Sequence, residues 1–147
     1  MANILDVSRY IVEKLGSVSK WKLQKLCYYA QGWTLAWTDK KLFKEDFKAW
    51  SNGPVNLKLE AACKEYKITK ENFPYGDTNN LTEDEKDSIN RVIEEYGKFE
   101  PYILREMTRE EKPFLKAKGL TLKNEDTNVT ITKKSIKKYF KGLLKKC

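Results

Sequence analysis

Acidic pairs, cysteines and lysines are the residues of this chain whose types could do chemistry. The carboxylates cluster as Glu83-Asp84-Glu85, Glu94-Glu95 and Glu110-Glu111. Acid–base catalysis needs groups that converge on one point, whereas neighbouring helical residues diverge around the axis. The first cluster, in Thr82-Glu-Asp-Glu85, has the spacing of a helix capping box. There is no histidine, which removes the imidazole base and the Ser-His-Asp and Cys-His triads. Three cysteines, Cys27, Cys63 and Cys147, contain no Cys-x-x-Cys. They supply neither a usual zinc site nor a disulfide framework. Cys27 and Cys63 fall on apolar helix faces and read as core thiols, while Cys147 ends the sequence. No phosphate-cradling glycine loop occurs. The expectation is a protein that is not an enzyme, with no catalytic, metal or cofactor-binding residues and no cofactor.

The lysines are the other charged group. From Thr132 to Cys147 there are seven and no acid, so this end carries seven of the eight net positive charges. Three readings are open. Lys133, Lys134, Lys137, Lys138 and Lys141 form the solvated side of an amphipathic helix, or an electrostatic patch for an acidic partner or nucleic acid, or a contact with an anionic membrane surface. Base readout favours arginine and stacking aromatics. The four arginines, Arg9, Arg91, Arg105 and Arg109, lie elsewhere, so the patch fits non-specific attraction.

The elements that must position these groups are mainly helical. The 147 residues suffice for one domain with a real core. No apolar run approaches the roughly 18 residues of a membrane span. The N-terminus lacks the pattern of a signal peptide, and the expectation is a cytoplasmic protein that makes no membrane contact. The dominant element is a helix over about 19–38, capped by Ser19 without a capping box. Leu23, Leu26, Cys27, Ala30, Thr34 and Trp37 recur at helical spacing. Tyr29, Trp33 and Leu35 widen that face, and Gln24 and Gln31 mark a narrow polar strip. Gly32 inside it permits close approach of another backbone.

Before it, Asp6 caps a helix over 7–15 that Gly16 ends. After it, Phe47–Trp50 reads as a strand, Ser51–Pro54 as a turn with Pro54 leading into a helix over 57–66, and residues 67–80 as a surface loop. A helix from the Thr82 capping box runs to Gly97. A shorter one near Pro101 buries Ile103, Leu104 and Met107. Thr108-Arg-Glu-Glu111 starts another turn, and a short helix over 113–118 follows. Residues 120–128 are irregular. Asn128–Ile131 is a strand that pairs with Phe47–Trp50, and Thr132 caps the lysine helix, packed through Ile136, Tyr139, Phe140 and Leu143. The fold class is mainly α, a compact single-domain bundle over 1–147. It is built around the central helix, carries a small two- or three-stranded β element, and ends in a lysine-rich amphipathic helix (132–146).

This pattern resembles that of a known family. The run Lys22-Leu-Gln-Lys-Leu-x-Tyr-Tyr-Ala-Gln-Gly-Trp33, then Leu42-Phe43, then Phe47-x-Ala-Trp-x-Asn-Gly-Pro-Val55, resembles the Panacea domain of bacterial and prophage antitoxins and phage-associated proteins. The similarity continues through Thr82–Tyr96, Met107-Thr-Arg-Glu-Glu-Lys-Pro-Phe114 and Thr132–Phe140. Arg109 stands where relatives tend to have histidine, Phe114 where they have tryptophan, and Thr34 where histidine is common. The resemblance implies a mainly helical domain with a small sheet. It also implies an antitoxin that binds a protein toxin encoded nearby, or an adaptor that presents a toxin to a protease. It does not name the toxin.

Aromatic residues at helical spacing are first of all core, and Leu23, Leu26, Ala30 and Trp37 are assigned there. Tyr28 lies off the main apolar face and Trp50 opposite Phe47 and Ala49, so these two are candidates for exposure and interface anchoring. The candidate partner contacts are Tyr28, Gln31, Trp50, Asn52, Gly53, Pro54, Val55 and Arg109, with Asn52–Pro54 reading first as a structural turn.

Overall fold

The computed structural model describes residues 2–119 and 125–146. Cys147 and part of the expected irregular stretch over 120–128 lie outside the described residues. The chain is mainly α with small antiparallel sheets of two and three strands.

The first helix, α1 (Ile4–Leu15), begins three residues before the expected start. Asn3 is its cap, and Asp6 is the reciprocal member of a capping box: Leu5 N–H and Asp6 N–H donate to the Asn3 side chain, and Asn3 N–H donates to Asp6 Oδ2 at 2.9 Å. Asp6 also accepts from Asp77 N–H at 2.8 Å. Its buried carboxylate therefore ties the distant 67–80 segment to the start of the chain. Gly16 ends the helix with φ 82°.

The central helix α2 (Lys20–Thr38) is capped by Ser19, which accepts from Lys22 N–H. It is buried on nearly every side, as an all-round apolar helix must be, and packs on α1, α4 (Glu83–Tyr96), α5 (Pro101–Glu110) and above all α7 (Lys133–Lys145). Its glutamines do not form a solvent-facing strip. Both are buried and act as backbone clamps. Gln24 donates to Asn56 O at 3.0 Å and accepts from Asn56 N–H at 2.8 Å, and Gln31 donates to Phe43 O and accepts from Leu42 N–H, both at 2.7 Å. A buried backbone must find partners, and these two amides supply them to the chain that wraps α2.

Gly32 admits a side chain, not a second backbone: a Cβ there would overlap the Phe140 ring of α7. Trp33 and Trp37 are half-buried. They stack at 5.5 Å, and the Arg91 guanidinium lies 3.8 Å from the Trp37 ring, so Trp37 borders the core and is not enclosed by it.

Strand β2 (Phe47–Trp50) buries Phe47 and Ala49. It pairs with β5 (Thr130–Ile131), which is shorter than the expected 128–131 strand, with Phe47 opposite Ile131, and on its other edge with β3 (Gly53–Val55). Pro54 therefore sits in a strand, opposite Ala49, and Asn56 caps α3 (Leu57–Ala62). That helix stops four residues short of the expected end. The chain turns at Cys63 so that β4 (Lys67–Thr69) can pair with β1 (Ser17–Ser19), with Val18 opposite Ile68. Residues 67–80 thus contain a strand and a 3-10 turn (Thr78–Asn80), with Phe73 in the core.

The α4 capping box forms between Thr82 and Glu85. Helix α5 buries Leu104 and Thr108, while Ile103 and Met107 are only partly covered. Thr108 does not open a turn. It lies inside α5, its hydroxyl donating back to Leu104 O and Arg105 O at 3.0 Å each. Helix α6 (Lys112–Lys118) follows, and Thr132 caps α7 by accepting from Ser135 N–H. Among the described residues no helix is long and apolar enough to cross a membrane.

Candidate partner-binding site

A lysine in the middle of an apolar helix is the unexpected feature of α2. Lys25 is fully buried, and its Nζ has no hydrogen-bond partner among the described residues. An uncompensated ammonium is costly to desolvate. Burial, with Arg105 and then Arg109 adding repulsion against an opposing Glu60, lowers the Lys25 pKa to about 7.

Three separated segments close around it. From α2 comes Trp21, one turn earlier, whose ring lies 5.3 Å from Lys25 Nζ. From the β2–β3 hairpin comes Gly53, with φ 104°. A Cβ there would stand 2.9 Å from Lys25 Cε and 2.8 Å from Thr108 Oγ1, so the backbone passes directly over the lysine and only glycine fits. From α5 comes Thr108 beneath the hairpin, with Arg105 one turn before it. Trp21, Lys25, Asn52, Tyr66, Tyr102 and Arg105 line a cavity of about 160 Å³ with Lys25 at its wall. Tyr66 is 59% exposed and Tyr102 61%, the largest exposures among the big apolar side chains of the described residues. Both stand at the rim. A broader groove of about 450 Å³, lined by Val18, Lys22 and Lys67, shares Tyr66 and Pro101 with it.

The expected contact residues divide. Asn52 lines the cavity, and Gly53 roofs Lys25. Pro54 and Val55 are buried in β3, and Trp50 is half-buried, opposite Gly53 in the register. Arg109 is partly buried, its Nη1 3.2 Å from Glu106 Oε1. Tyr28 is not exposed at all. It lies between Phe47 and Phe140, with ring centroids at 5.4 and 6.1 Å, because α7 covers the side of α2 that sequence spacing left open. Gln31 is a buried clamp and presents no surface.

The lysine patch is partly spent within the chain. Lys133 pairs with Asp46 at 2.6 Å, and Lys137 and Lys141 both reach Asp39, at 3.0 and 2.8 Å. These two lysines hold the Asp39 carboxyl below its ordinary range. Lys134 and Lys138 stay exposed.

A second buried polar group lies one helical turn further along α2, at Tyr29. Tyr29 OH donates to Glu111 Oε2 at 2.8 Å, its ring stacked on Tyr96 at 4.1 Å. Burial raises the Glu111 carboxyl to about 7, and the Tyr29 bond opposes this.

Sequence reasoning passed over Lys25, Trp21, Tyr66, Tyr102 and Arg105. One signal was available: Lys25 stands between Leu23 and Leu26-Cys27 on a helix with almost no polar side.

The class defined by this architecture is a mainly α domain, with a small β element, wrapped around one buried helix. The chain belongs to the antitoxin SocA-like Panacea domain family, whose model matches residues 23–114, more than half of it. That span contains α2 from Leu23, the hairpin and α5, and so most of the cavity. No curated protein and no solved structure matches the chain.

Proposed function

We propose that this protein is an antitoxin that neutralises a toxin encoded beside it by direct protein–protein contact, with the Tyr66–Tyr102 rim as the contact surface. Membership of the SocA-like antitoxin family carries the reading. Two tyrosines more than half exposed, flanking one cavity, are the residue type that anchors protein interfaces. Nucleic-acid binding through α7 has weaker support, since three of the five patch lysines already have acidic partners within the chain.

Co-expression with the adjacent gene product tests the proposal. Growth arrest by that product is relieved by the wild-type chain, a complex co-purifies, and the Tyr66→Ala/Tyr102→Ala double variant loses both while keeping its melting temperature. Relief accompanied by a falling toxin level, reversed by removing a cellular protease, identifies the adaptor mode. No relief and no complex ends the antitoxin reading.

A further inference from the structure

The cavity beneath the tyrosine rim has an unusual electrostatic make-up. Two cationic side chains line it, and each keeps one buried donor without a hydrogen-bond partner among the described residues: Lys25 Nζ and Arg105 Nε. Arg105 Nη2 lies 3.2 Å from Glu106 Oε1, while its Nε, like Lys25 Nζ, is buried behind the cavity wall. Glu60, whose field reaches Lys25, gives its Oε1 to Lys20 at 2.9 Å and does not line the cavity. Buried polar groups in native proteins are satisfied almost without exception, and a half-satisfied cationic pair is destabilising. Two such donors in one opening fit an anion supplied from outside. A space of about 160 Å³ is well below the 300–1,000 Å³ of pockets that take small molecules or cofactors. It suits one side chain. The walls match: the Trp21 ring and the two tyrosines offer apolar and aromatic surface to a side chain's methylenes, and the Asn52 amide adds a donor and an acceptor.

We propose that this cavity takes a carboxylate side chain from an acidic segment of the partner protein, with Lys25 Nζ and Arg105 Nε as its donors. The inference rests on the antitoxin reading for the partner's identity. The chemistry of the site stands apart from it. A carboxylate would turn two unpaired buried donors into charge-assisted hydrogen bonds. The tyrosine rim would exclude water around it, as in the buried centre of a binding hot spot. Three charged groups bear on Lys25 from the elements packed around it, Arg105 and Arg109 on α5 and Glu60 on α3. A fourth charge, negative and in contact, favours the ammonium, so binding takes up a proton and weakens as the pH rises above about 7.

The test has two arms, both on the full chain. In the first, affinity for the adjacent gene product is measured for the wild type, Lys25→Met, Arg105→Gln and the exposed-site control Lys145→Met, with thermal melts alongside. Lys25→Met and Arg105→Gln each weaken binding about 10- to 100-fold, Lys145→Met leaves it within about twofold, and the melting temperatures do not fall. Changing the acidic residues of the toxin one at a time to their amides yields one position with the same loss. Binding that is unchanged in both cavity variants overturns the proposal. In the second arm, the chain alone is labelled uniformly with 15N and titrated with N-acetylglutamate α-amide, which carries one carboxylate, and separately with inorganic phosphate. A saturable millimolar shift of the Lys25 Nζ and Trp21 indole signals with the carboxylate, missing in Lys25→Met, supports it. No shift, or a shift with phosphate alone, overturns it. If the wild type fails to bind the adjacent product, the antitoxin reading falls and the second arm still decides the site.

Discussion

The α-carbon of Gly53 lies over the Lys25 side chain so closely that a methyl group built on it would stand 2.9 Å from the lysine Cε. The contact joins two segments of the family signature, the Leu-Gln-Lys-Leu run of α2 and the Asn-Gly-Pro-Val run of the hairpin. A third segment holds it from below, since the same methyl would meet Thr108 Oγ1 at 2.8 Å.

Gly53→Ala is expected to destabilise the fold by about 2–5 kcal/mol, the sum of backbone strain at positive φ and overpacking. Gly16→Ala separates the two contributions. Gly16 has φ 82° but nothing within 4 Å of its would-be Cβ, so its cost is strain alone, about 1–2 kcal/mol. Urea melts of both variants check this, and equal losses would show that the Gly53–Lys25 approach contributes nothing.

Lys25 makes stability depend on pH. Its pKa is about 7 in the folded chain and 10.5 ordinarily, so between those values the unfolded chain holds a proton that the folded one has released, and stability rises with pH across that window. Lys25→Met removes the desolvated charge. It should stabilise the protein by about 1–3 kcal/mol at pH 7 and below, with the gain shrinking toward pH 10. Chemical denaturation at several pH values measures the slope.

Glu111 acts in the opposite direction on the acid side. Its carboxyl is raised from 4.5 to about 7, so the folded chain keeps a proton that the unfolded chain loses. This contribution is complete below pH 4.5 and is lost as pH rises through 7. Glu111→Gln keeps an acceptor for the Tyr29 hydroxyl without the charge, and should stabilise the protein by about 1–3 kcal/mol at pH 8 while changing little at pH 4.5. Together the two groups place a local minimum of wild-type stability near pH 7, which the double variant Lys25→Met/Glu111→Gln should erase.

Gly32 and Phe140 should be energetically coupled. Gly32→Ala drives a methyl into the Phe140 ring and should cost about 1–3 kcal/mol. Phe140→Leu leaves a partial cavity and costs a similar amount. The double variant should lose less than the sum of the two, because the leucine vacates the space the methyl needs. Strict additivity in a double-mutant cycle would contradict the packing described.

How much could be read beforehand differs by element. The caps of α2, α4 and α7 were legible because a capping side chain and its target are within three residues. A strand near 128–131 beside β2 was legible from its alternation, but only Thr130 and Ile131 form it, and Val129 stays exposed. The start of α1 is ambiguous in sequence because Asn3 and Asp6 are both capping residue types three positions apart. The early end of α3 was not legible, since it is imposed by β4 pairing with β1, some fifty residues away in the chain. The enclosure of Tyr28 has the same kind of cause: helical spacing gives the face a residue occupies, not how many neighbours cover that face.

The sequence by itself determined the helical class, the central place of α2 and the family, because each rests on local periodicity or on a contiguous run of residue types. Only the tertiary structure decided what the signature does. It turned Gln24 and Gln31 into clamps on passing backbone and enclosed Tyr28 in the core. It also brought Trp21, Lys25, Asn52, Tyr66, Tyr102 and Arg105 to one opening. Desolvation of Lys25 is the cause of its altered chemistry, and desolvation arises from groups distant in sequence, so no local pattern encodes it.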